Sequence, residues 1–155
     1  MVQDKPGVLN KLAGMVRRRG FNISSLTVAQ SEQTDYSRMT FVVEGDDSTI
    51  TQVINQLYKI IEVVKVTDIT KENVVIRELA LIKISTTPAS RPEILQLVEI
   101  FRSNVLDVSS DSVIVEVTGD ENKVDSLLAI LEPFGIKEVM RTGRVGLIRG
   151  VSNIV

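Results

Sequence analysis

The stretch Gln3–Gly14, QDKPGVLNKLAG, contains the residues of this chain whose types and spacing could do chemistry. An acidic residue, a proline and a glycine (Asp4, Pro6 and Gly7) stand directly before apolar residues at helical spacing. This pattern is typical of a helix N-terminus, where unpaired backbone N–H groups and the helix dipole favour an anion. The stretch could therefore bind a phosphate, hold a metal, act on a substrate, or bind a ligand without chemistry.

Two residue types that much enzyme chemistry requires are absent from the sequence. There is no cysteine, which excludes disulfides, thiolate nucleophiles and cysteine metal sites. There is no histidine, the commonest general base near neutral pH and the commonest ligand of transition metals. Carboxylate, lysine or serine chemistry stays open, but a binding or regulatory role is favoured over catalysis.

Composition excludes further classes of function. The 155 residues are 43% hydrophobic and 25% charged, which indicates a globular protein of one ordinary domain or two small ones. A net charge of −2 and an aromatic content of 4% give no indication of nucleic-acid binding. The apolar runs are too short to cross a bilayer, and nothing resembles a signal peptide. We expect a soluble, cytoplasmic protein with no nucleic-acid or membrane partner.

The elements that would position the opening stretch follow from the spacing of apolar residues. These recur every three or four positions where a helix is expected and alternate where a strand is expected. The predicted elements of the first half are a strand at Met1–Gln3, a helix at Pro6–Arg19, strands at Phe21–Ala29 and Arg38–Glu44, a helix that begins in Gly45–Ile50, and a strand at Glu62–Ile69.

The second half of the chain repeats this order, and the turn segments EGDDS and TGDEN stand at equivalent places in the two halves. The predicted elements are strands at Leu79–Ser85, Val105–Ser109, Ser112–Thr118 and Ile136–Arg141, a helix around Ile94–Phe101, a helix that begins in Gly119–Val124 and ends at Gly135, and a strand end with a turn at Arg141–Leu147. We expect an α+β fold of two tandem β-α-β-β-α-β domains, each a four-stranded antiparallel sheet with helices on one face. Because Met1–Gln3 is shorter than an ordinary strand, we also expect the first strand to start before residue 1.

Several readings of the opening stretch lack the residues they need. Phosphate binding requires a longer glycine-rich loop that ends in lysine or serine, whereas only Gly7 and Gly14 occur here. A metal site requires several converging ligands, and Asp4 stands alone. General acid–base catalysis requires a second titratable group, and no paired carboxylate is evident. The simple structural alternative, that Asp4 and Pro6 only start a helix, stays open.

An α-amino acid matches the residue types better than these ligands do. The first-turn N–H groups favour a carboxylate, and Asp4 beside them favours an ammonium group. Gly7 allows the backbone to come close to the ligand, and Val8 or Leu9 supplies an apolar wall that selects the side chain. This interpretation makes the stretch a sensor of a small molecule.

Four segments of the chain carry a resemblance to known proteins. DKPGVLNKLAGMVRRRGFNISSLTV resembles the start of an ACT domain, the amino-acid-sensing module, in which D/N-x-x-G-x-L opens the first helix. More closely, RRRGFNISSLTVAQSEQTDYSRMTFVVEGDD, VIRELALIKIS and PFGIKEVMRTGRVGLIRG resemble, in this order, segments of the regulatory (small) subunits of acetolactate synthase, also called acetohydroxyacid synthase. The likeness covers essentially the whole chain.

The resemblance implies an ACT domain over residues 1–72 and a second ferredoxin-like domain over residues 73–155. It implies a regulatory chain of branched-chain amino acid biosynthesis, without catalysis and without a cofactor of its own. The family's chains bind and activate a catalytic (large) subunit, which uses thiamine diphosphate, Mg²⁺ and FAD, and they confer feedback inhibition by valine. Their ACT domains pair side by side as a homodimer, with valine between two protomers.

The resemblance also implies the site residues, position by position. The first loop contributes Asp4, Lys5, Pro6, Gly7, Val8 and Leu9, the second strand of the other protomer contributes Asn22 and Ile23, and Thr27, Ala29 and Gln52 match positions near the site. Two departures affect the effector preference. Asp4 stands where relatives often carry asparagine and strengthens the ammonium contact, whereas Pro6 stands where a small polar residue is common and removes an N–H donor.

Alternatives remain for the function and for two further features. An ACT regulatory protein of another biosynthetic enzyme fits the first half equally well. For an acylphosphatase-like hydrolase, this chain lacks the arginine that the loop needs, and for an RNA-binding module it lacks aromatic residues on central strands beyond Phe41.

Arg17–Arg19 is a solvated helix end or a contact for an acidic partner. The loop Gln30–Ser37 is a mobile surface loop or a contact for the catalytic subunit.

Overall fold

The structure is a computed structural model, and it describes residues 1–150. The chain forms two compact units, Met1–Val75 together with the described residues from Gly146, and Ile76–Val145. The expected boundary between residues 72 and 73 stays a prediction. The elements of the first part are β1 (Val2–Gln3), α1 (Val8–Arg19), β2 (Asn22–Gln30), β3 (Tyr36–Glu44) and α2 (Asp47–Leu57).

The later elements repeat the order of the first. They are β4 (Val74–Ser85), α3 (Arg91–Ile100), β5 (Asn104–Val108), β6 (Ser112–Gly119), α4 (Glu121–Leu131), a 3₁₀ turn (Glu132–Phe134), β7 (Ile136–Arg141) and β8 (Val145–Ile148). The two predicted turn segments place Asp46 and Asp120 as the N-caps of α2 and α4, where each carboxylate accepts a backbone N–H, at 2.8 and 2.9 Å. The sequence prediction of both helix starts is confirmed.

The first sheet is antiparallel in the order β1-β3-β2. The strand predicted at Glu62–Ile69 is wrong, because the segment forms only an isolated bridge between Val63 and Val2. The N–H of Gln3 donates to the carbonyl of Glu62 at 2.8 Å, and that of Val64 donates to the carbonyl of Met1 at 2.9 Å. Lys65 also exchanges backbone hydrogen bonds with Met1, but because β1 has only two residues the segment does not extend into a strand.

Helix α1 begins at Val8 rather than at the predicted Pro6. Gly7 has a φ of 84°, a left-handed conformation that a right-handed helix cannot contain. Gly20 closes the helix as predicted, with a φ of 70° and an N–H donated to the carbonyl of Arg17. The buried core of this unit comprises Val2, Val8, Leu12, Met15, Val53 and Leu57, against which Met39, Phe41 and Val43 of β3 pack.

The second sheet has the order β5-β6-β4-β7, and β8 also pairs with β4. Its strands and helices enclose a fully buried aliphatic core of Ala80, Ile82, Ile84, Ile94, Val113, Val115, Val117, Val124, Leu127 and Leu131. Strand β7 has the predicted bounds. The prediction missed β8 and the part of β4 before Leu79, because these pair across a long stretch of sequence and Val145–Ile148 is too short to show an alternating pattern.

Candidate functional site

The loop between β1 and α1 is fixed at both ends and open in the middle. At its start, the N–H of Asp4 donates to the carbonyl of Asp35 at 2.8 Å, and at its end the N–H of Val8 donates to the carbonyl of Lys5 at 3.3 Å. A Cβ atom added at Gly7 would meet no atom within 4 Å. A ligand can therefore approach the backbone at Gly7 closely.

The N-terminus of α1 offers backbone donors without a side-chain cap. Gly7 is the N-cap residue, and the first turn carries no acidic side chain. Within residues 1–150, the N–H groups of Leu9 and Asn10 have no hydrogen-bond partner. Together with the positive end of the helix dipole, these donors suit a carboxylate.

The two apolar residues that open α1 have different surroundings. Val8 is 3% exposed and belongs to the core, whereas Leu9 is 46% exposed. Of the two side chains expected as an apolar wall, only that of Leu9 is accessible to a ligand, and Val8 can contribute only its backbone. Asp4 is also exposed, and its carboxylate forms no ion pair with a residue in the described part of the chain. It is therefore available to an ammonium group.

Asn22 lies at the far end of the same sheet. It begins the nine-residue strand β2, whereas Gln30 at the other end pairs with Ser37, which also pairs with Val2. At about 3.3 Å per residue, Asn22 is roughly 26 Å from the end of β2 near which the Asp4 loop lies. One copy of the chain therefore does not bring these two parts of the predicted site together.

The register of β2 and β3 separates the other predicted residues by face. Residues directly opposite each other in an antiparallel pair point to the same side. Asn22, Thr27 and Ala29 lie opposite Glu44, Thr40 and Arg38, on the helix-free side, and Ile23 lies opposite Val43, on the helix side. Gln52 is exposed on α2, which packs on the helix side, so it does not meet Thr27 or Ala29 within one copy.

The free edge of β2 exposes apolar side chains. This strand pairs with β3 on one side, and no other strand among residues 1–150 lies against its second edge. Leu26 and Val28 are 38% and 41% exposed, although they lie opposite Phe41 and Met39 on the helix side. An apolar edge strand of this length is a template for pairing with another chain.

The turn between β2 and β3 is shorter and better held than predicted. Because both strands extend further, the predicted loop is reduced to the hairpin turn Ser31–Asp35. The N–H of Ser31 donates to the carbonyl of Tyr36 at 2.9 Å, and Arg38 pairs with Glu32 at 3.0 Å. Asp35 has a left-handed φ of 68°, and its carbonyl holds the Asp4 loop.

Sequence reasoning missed two residues next to the predicted site, Asp35 and Glu44. The amide nitrogen Nδ2 of Asn22 donates to Oε2 of Glu44 at 2.7 Å. A straight register continued from Leu26 opposite Phe41 would place Gly45 opposite Asn22, and the irregularity between Ile23 and Ser25 brings Glu44 there instead, so the alternating pattern carried no signal for this pair. The Asp4–Asp35 hydrogen bond has no such signal either, because it joins two loops through backbone atoms alone.

One ion pair, between Lys11 and Glu62, lies beside the start of α1. Lys11 donates to Glu62, and this hydrogen bond, helped by the charges of Lys11 and Lys5, lowers the pKa of the Glu62 carboxyl. Lys11 is thus occupied by its ion pair with Glu62.

Among residues 1–150, no group of acidic side chains is placed to hold a metal ion. None of the described helices combines the length and apolar character that a membrane crossing requires.

Comparison with known protein families assigns both parts of the chain. Residues 1–65 match the model of the AHAS small subunit-like ACT domain. Residues 77–150 match the model of the small subunit of acetolactate synthase. The order of the two models agrees with the order of the two resemblances found in the sequence.

Individual relatives are similar over nearly their whole length. The chain is 55% identical over 150 residues to the probable acetolactate synthase small subunit of Archaeoglobus fulgidus, covering 97% of this chain and 94% of that protein. It is 48% identical over 151 residues to the acetolactate synthase small subunit of Bacillus subtilis, covering 96% and 87%. The crystal structure of the acetolactate synthase small subunit from Thermotoga maritima superposes with a TM-score of 0.89, at 47% identity, and covers 97% of this chain and 94% of that one. The chain therefore belongs to the family of acetolactate synthase small subunits, with an ACT domain at its N-terminal end.

Proposed function

We propose that this chain regulates acetolactate synthase by binding valine at a site shared between two copies, and that it activates the catalytic subunit and confers feedback inhibition. The observation that carries the proposal is the separation of the two half-sites along β2. The Asp4 loop lies at one end of this strand and Asn22 at the other. A complete site therefore needs a second copy of the chain.

Antiparallel pairing of β2 with its copy brings the two halves together. If the pairing is centred on Leu26 and allows for the irregularity of β2 between Ile23 and Ser25, Asn22 of one copy lies opposite Ala29 of the other, at the end of the sheet where the Asp4 loop lies. The same pairing covers Leu26 and Val28, which are otherwise exposed. The homodimer thus forms two equivalent sites, related by the two-fold axis.

The chemistry of each site matches a small α-amino acid. The N–H groups of Leu9 and Asn10 receive the carboxylate, and Asp4 and Asn22 of the second copy receive the ammonium group. Leu9 contacts the side chain, which selects for a branched apolar group such as that of valine. For a ligand of this size we expect a Kd between about 1 μM and 1 mM, or roughly −8 to −4 kcal/mol.

Regulation follows from linkage between this site and the catalytic partner. Valine inhibits only if it binds one arrangement of the complex more tightly than another, and a coupling of about 1–3 kcal/mol changes activity by about 5–150-fold. The hairpin Ser31–Asp35 is the proposed contact with the catalytic subunit, because it is exposed and its Asp35 carbonyl is bonded to the Asp4 loop. Thiamine diphosphate, Mg²⁺ and FAD reside on that subunit in this proposal, and this chain holds none of them.

Mixing two defective variants tests the shared site. Gly7→Asp disables the loop half and Asn22→Ala disables the strand half, so neither homodimer binds valine. A heterodimer of the two has one intact site, made from the normal loop of one copy and the normal strand of the other. Because random exchange makes half of the dimers heterodimers, we expect calorimetry of the equal mixture to recover about a quarter of the sites present in the same number of wild-type homodimers. A site contained within one chain would recover none, which would overturn the proposed arrangement.

The regulatory role is tested with the wild-type chain. It should copurify with a thiamine-diphosphate enzyme that forms acetolactate, raise the activity of that enzyme, and make it sensitive to valine. The matched control is the catalytic subunit alone, which should be less active and insensitive to valine. Equal activity and equal valine response with and without this chain would contradict the proposal.

A further inference from the structure

The amide of Asn22 is held in one orientation by a neighbouring carboxylate. Nδ2 of Asn22 donates to Oε2 of Glu44 at 2.7 Å. An ionised carboxylate only accepts hydrogen bonds, so the NH₂ end of the amide must face Glu44 and the oxygen Oδ1 must face away. Within residues 1–150 no donor reaches Oδ1. The asparagine therefore presents the acceptor Oδ1 on the side away from Glu44, and of its amide donors only the second N–H of Nδ2 is left.

We propose that Glu44 is a positioning residue that makes the site selective for an α-ammonium group. The inference rests on the proposed function, in which Asn22 of a second copy faces the ligand. An ammonium group only donates hydrogen bonds, so it pairs with Oδ1 when Glu44 holds the amide in this orientation. Without Glu44 the amide can rotate and present either end. The site then loses its preference for an amino acid over the corresponding hydroxy acid, whose hydroxyl both donates and accepts.

The second unit contains the same pair and supplies a matched control. Nδ2 of Asn104 donates to Oε1 of Glu116 at 3.1 Å, and Asn104 begins β5 as Asn22 begins β2. In both units a residue with left-handed φ precedes the asparagine by two positions, Gly20 at 70° and Arg102 at 49°. Removing Glu116 thus removes an equivalent structural contact without touching the proposed site.

The experiment compares Glu44→Ala, Glu44→Gln and Glu116→Ala by calorimetry with two ligands, valine and its hydroxy-acid analogue, 2-hydroxy-3-methylbutanoate. We expect Glu44→Ala to weaken valine binding by about tenfold, as for the loss of one hydrogen bond to a charged group, and hydroxy-acid binding by less than about threefold. Glu44→Gln should also lose much of the preference although it keeps a hydrogen bond to Asn22, because its amide can accept from Nδ2 or donate to Oδ1 and so does not fix the orientation. Glu116→Ala should leave both affinities unchanged.

The outcomes separate the inference from the function on which it rests. Absence of valine binding to the wild-type dimer would overturn both. Wild-type binding with an equal loss of both affinities in Glu44→Ala, or an unchanged ratio, would overturn the positioning role alone. A change of the ratio in Glu116→Ala would do the same. Thermal unfolding of each variant checks the fold, and because Glu44 is exposed we expect melting midpoints within a few degrees of wild type.

Discussion

Replacing Gly7 by aspartate tests the proposed valine site most directly. The substitution introduces no clash, since a Cβ at Gly7 has no neighbour within 4 Å. The left-handed φ of 84° costs an ordinary residue about 1–2 kcal/mol, and aspartate less than most. Gly7 is also the N-cap of α1, where an aspartate carboxylate can accept the free N–H groups of the first turn. This cap contributes about 0.5–2 kcal/mol, so the net change in stability is close to zero.

The effect on valine is much larger than the effect on the fold. The new carboxylate competes for the N–H groups of Leu9 and Asn10, and each charged hydrogen bond lost costs about 1.5–3 kcal/mol. A like charge about 4 Å from the ligand carboxylate adds repulsion of up to about 4 kcal/mol at an effective dielectric constant near 20. Even the lower value for two bonds, about 3 kcal/mol, weakens binding by more than about a hundredfold.

The assay measures valine binding by calorimetry and valine inhibition of the reconstituted enzyme. We expect Gly7→Asp to lose both while it activates the catalytic subunit as wild type does. Gly150→Asp is the matched control, because Gly150 has a similar φ of 77° and equally open space, and this variant should keep both properties. Normal heat of valine binding to folded Gly7→Asp would refute the assignment of the carboxylate to this helix N-terminus.

Three further predictions concern stability, pH and activation. Arg141→Ala removes the partner of the buried Glu78 carboxylate and should lower the free energy of unfolding in urea by about 2–3 kcal/mol. This value is on the low side for a buried pair, because the arginine side chain is 34% exposed. The double variant Glu78→Gln/Arg141→Ala should regain part of the lost stability, and an unchanged stability of Arg141→Ala would contradict the prediction. Hydrogen bonds from Thr49 and Ser48 lower the pKa of Asp46 from 3.8 to about 2, so its ionised cap stabilises the folded state above pH 4 and is lost as the pH falls toward 2. As the pH falls from 4 toward 2, the melting midpoint of wild type should therefore lose its advantage over that of Asp46→Asn or fall below it. A constant difference between the two midpoints would show that the cap does not titrate. Thr34→Arg places a bulky cation at the exposed tip of the hairpin turn. It should lower activation of the catalytic subunit by about tenfold, as for the loss of one interface contact of 1.4 kcal/mol, and leave the affinity for valine unchanged. Full activation by this variant would exclude the hairpin as the contact with the catalytic subunit.

The sequence predicted the elements whose signals are local. Asp46 and Asp120 marked two helix starts, and Gly20 marked a helix end, because caps depend on residues a few positions apart. The alternating apolar residues of β3, Met39, Phe41 and Val43, indicated its inward face for the same reason. Even the correction at Gly7 is local, since the glycine suited to a turn is the residue that delays the helix.

Features that depend on pairing between residues far apart in the sequence could not be predicted from local patterns. The strand expected at Glu62–Ile69 has the composition of a strand but lacks a long enough partner in β1, and β8 is identified only by its pairing with β4. For the proposed site, the residue types of the opening loop indicated one half and named Val8 and Leu9 as alternatives, whereas Asn22 and Ile23 came from the family resemblance. Only burial distinguishes these two side chains, because both are apolar neighbours at the start of one helix.

The first compact unit is built from two separate stretches of the sequence, and this affects its folding during synthesis. The N–H of Arg149 donates to the carbonyl of Asn73 at 2.8 Å, and the residues from Gly146 belong with Met1–Val75. The intervening unit, Ile76–Val145, is therefore an insertion within a discontinuous domain. At 5–20 residues per second, about 70 residues take roughly 4–14 s to synthesise. During that interval the nascent first unit lacks its segment from Gly146, and a gene fragment that stops at residue 75 lacks it permanently.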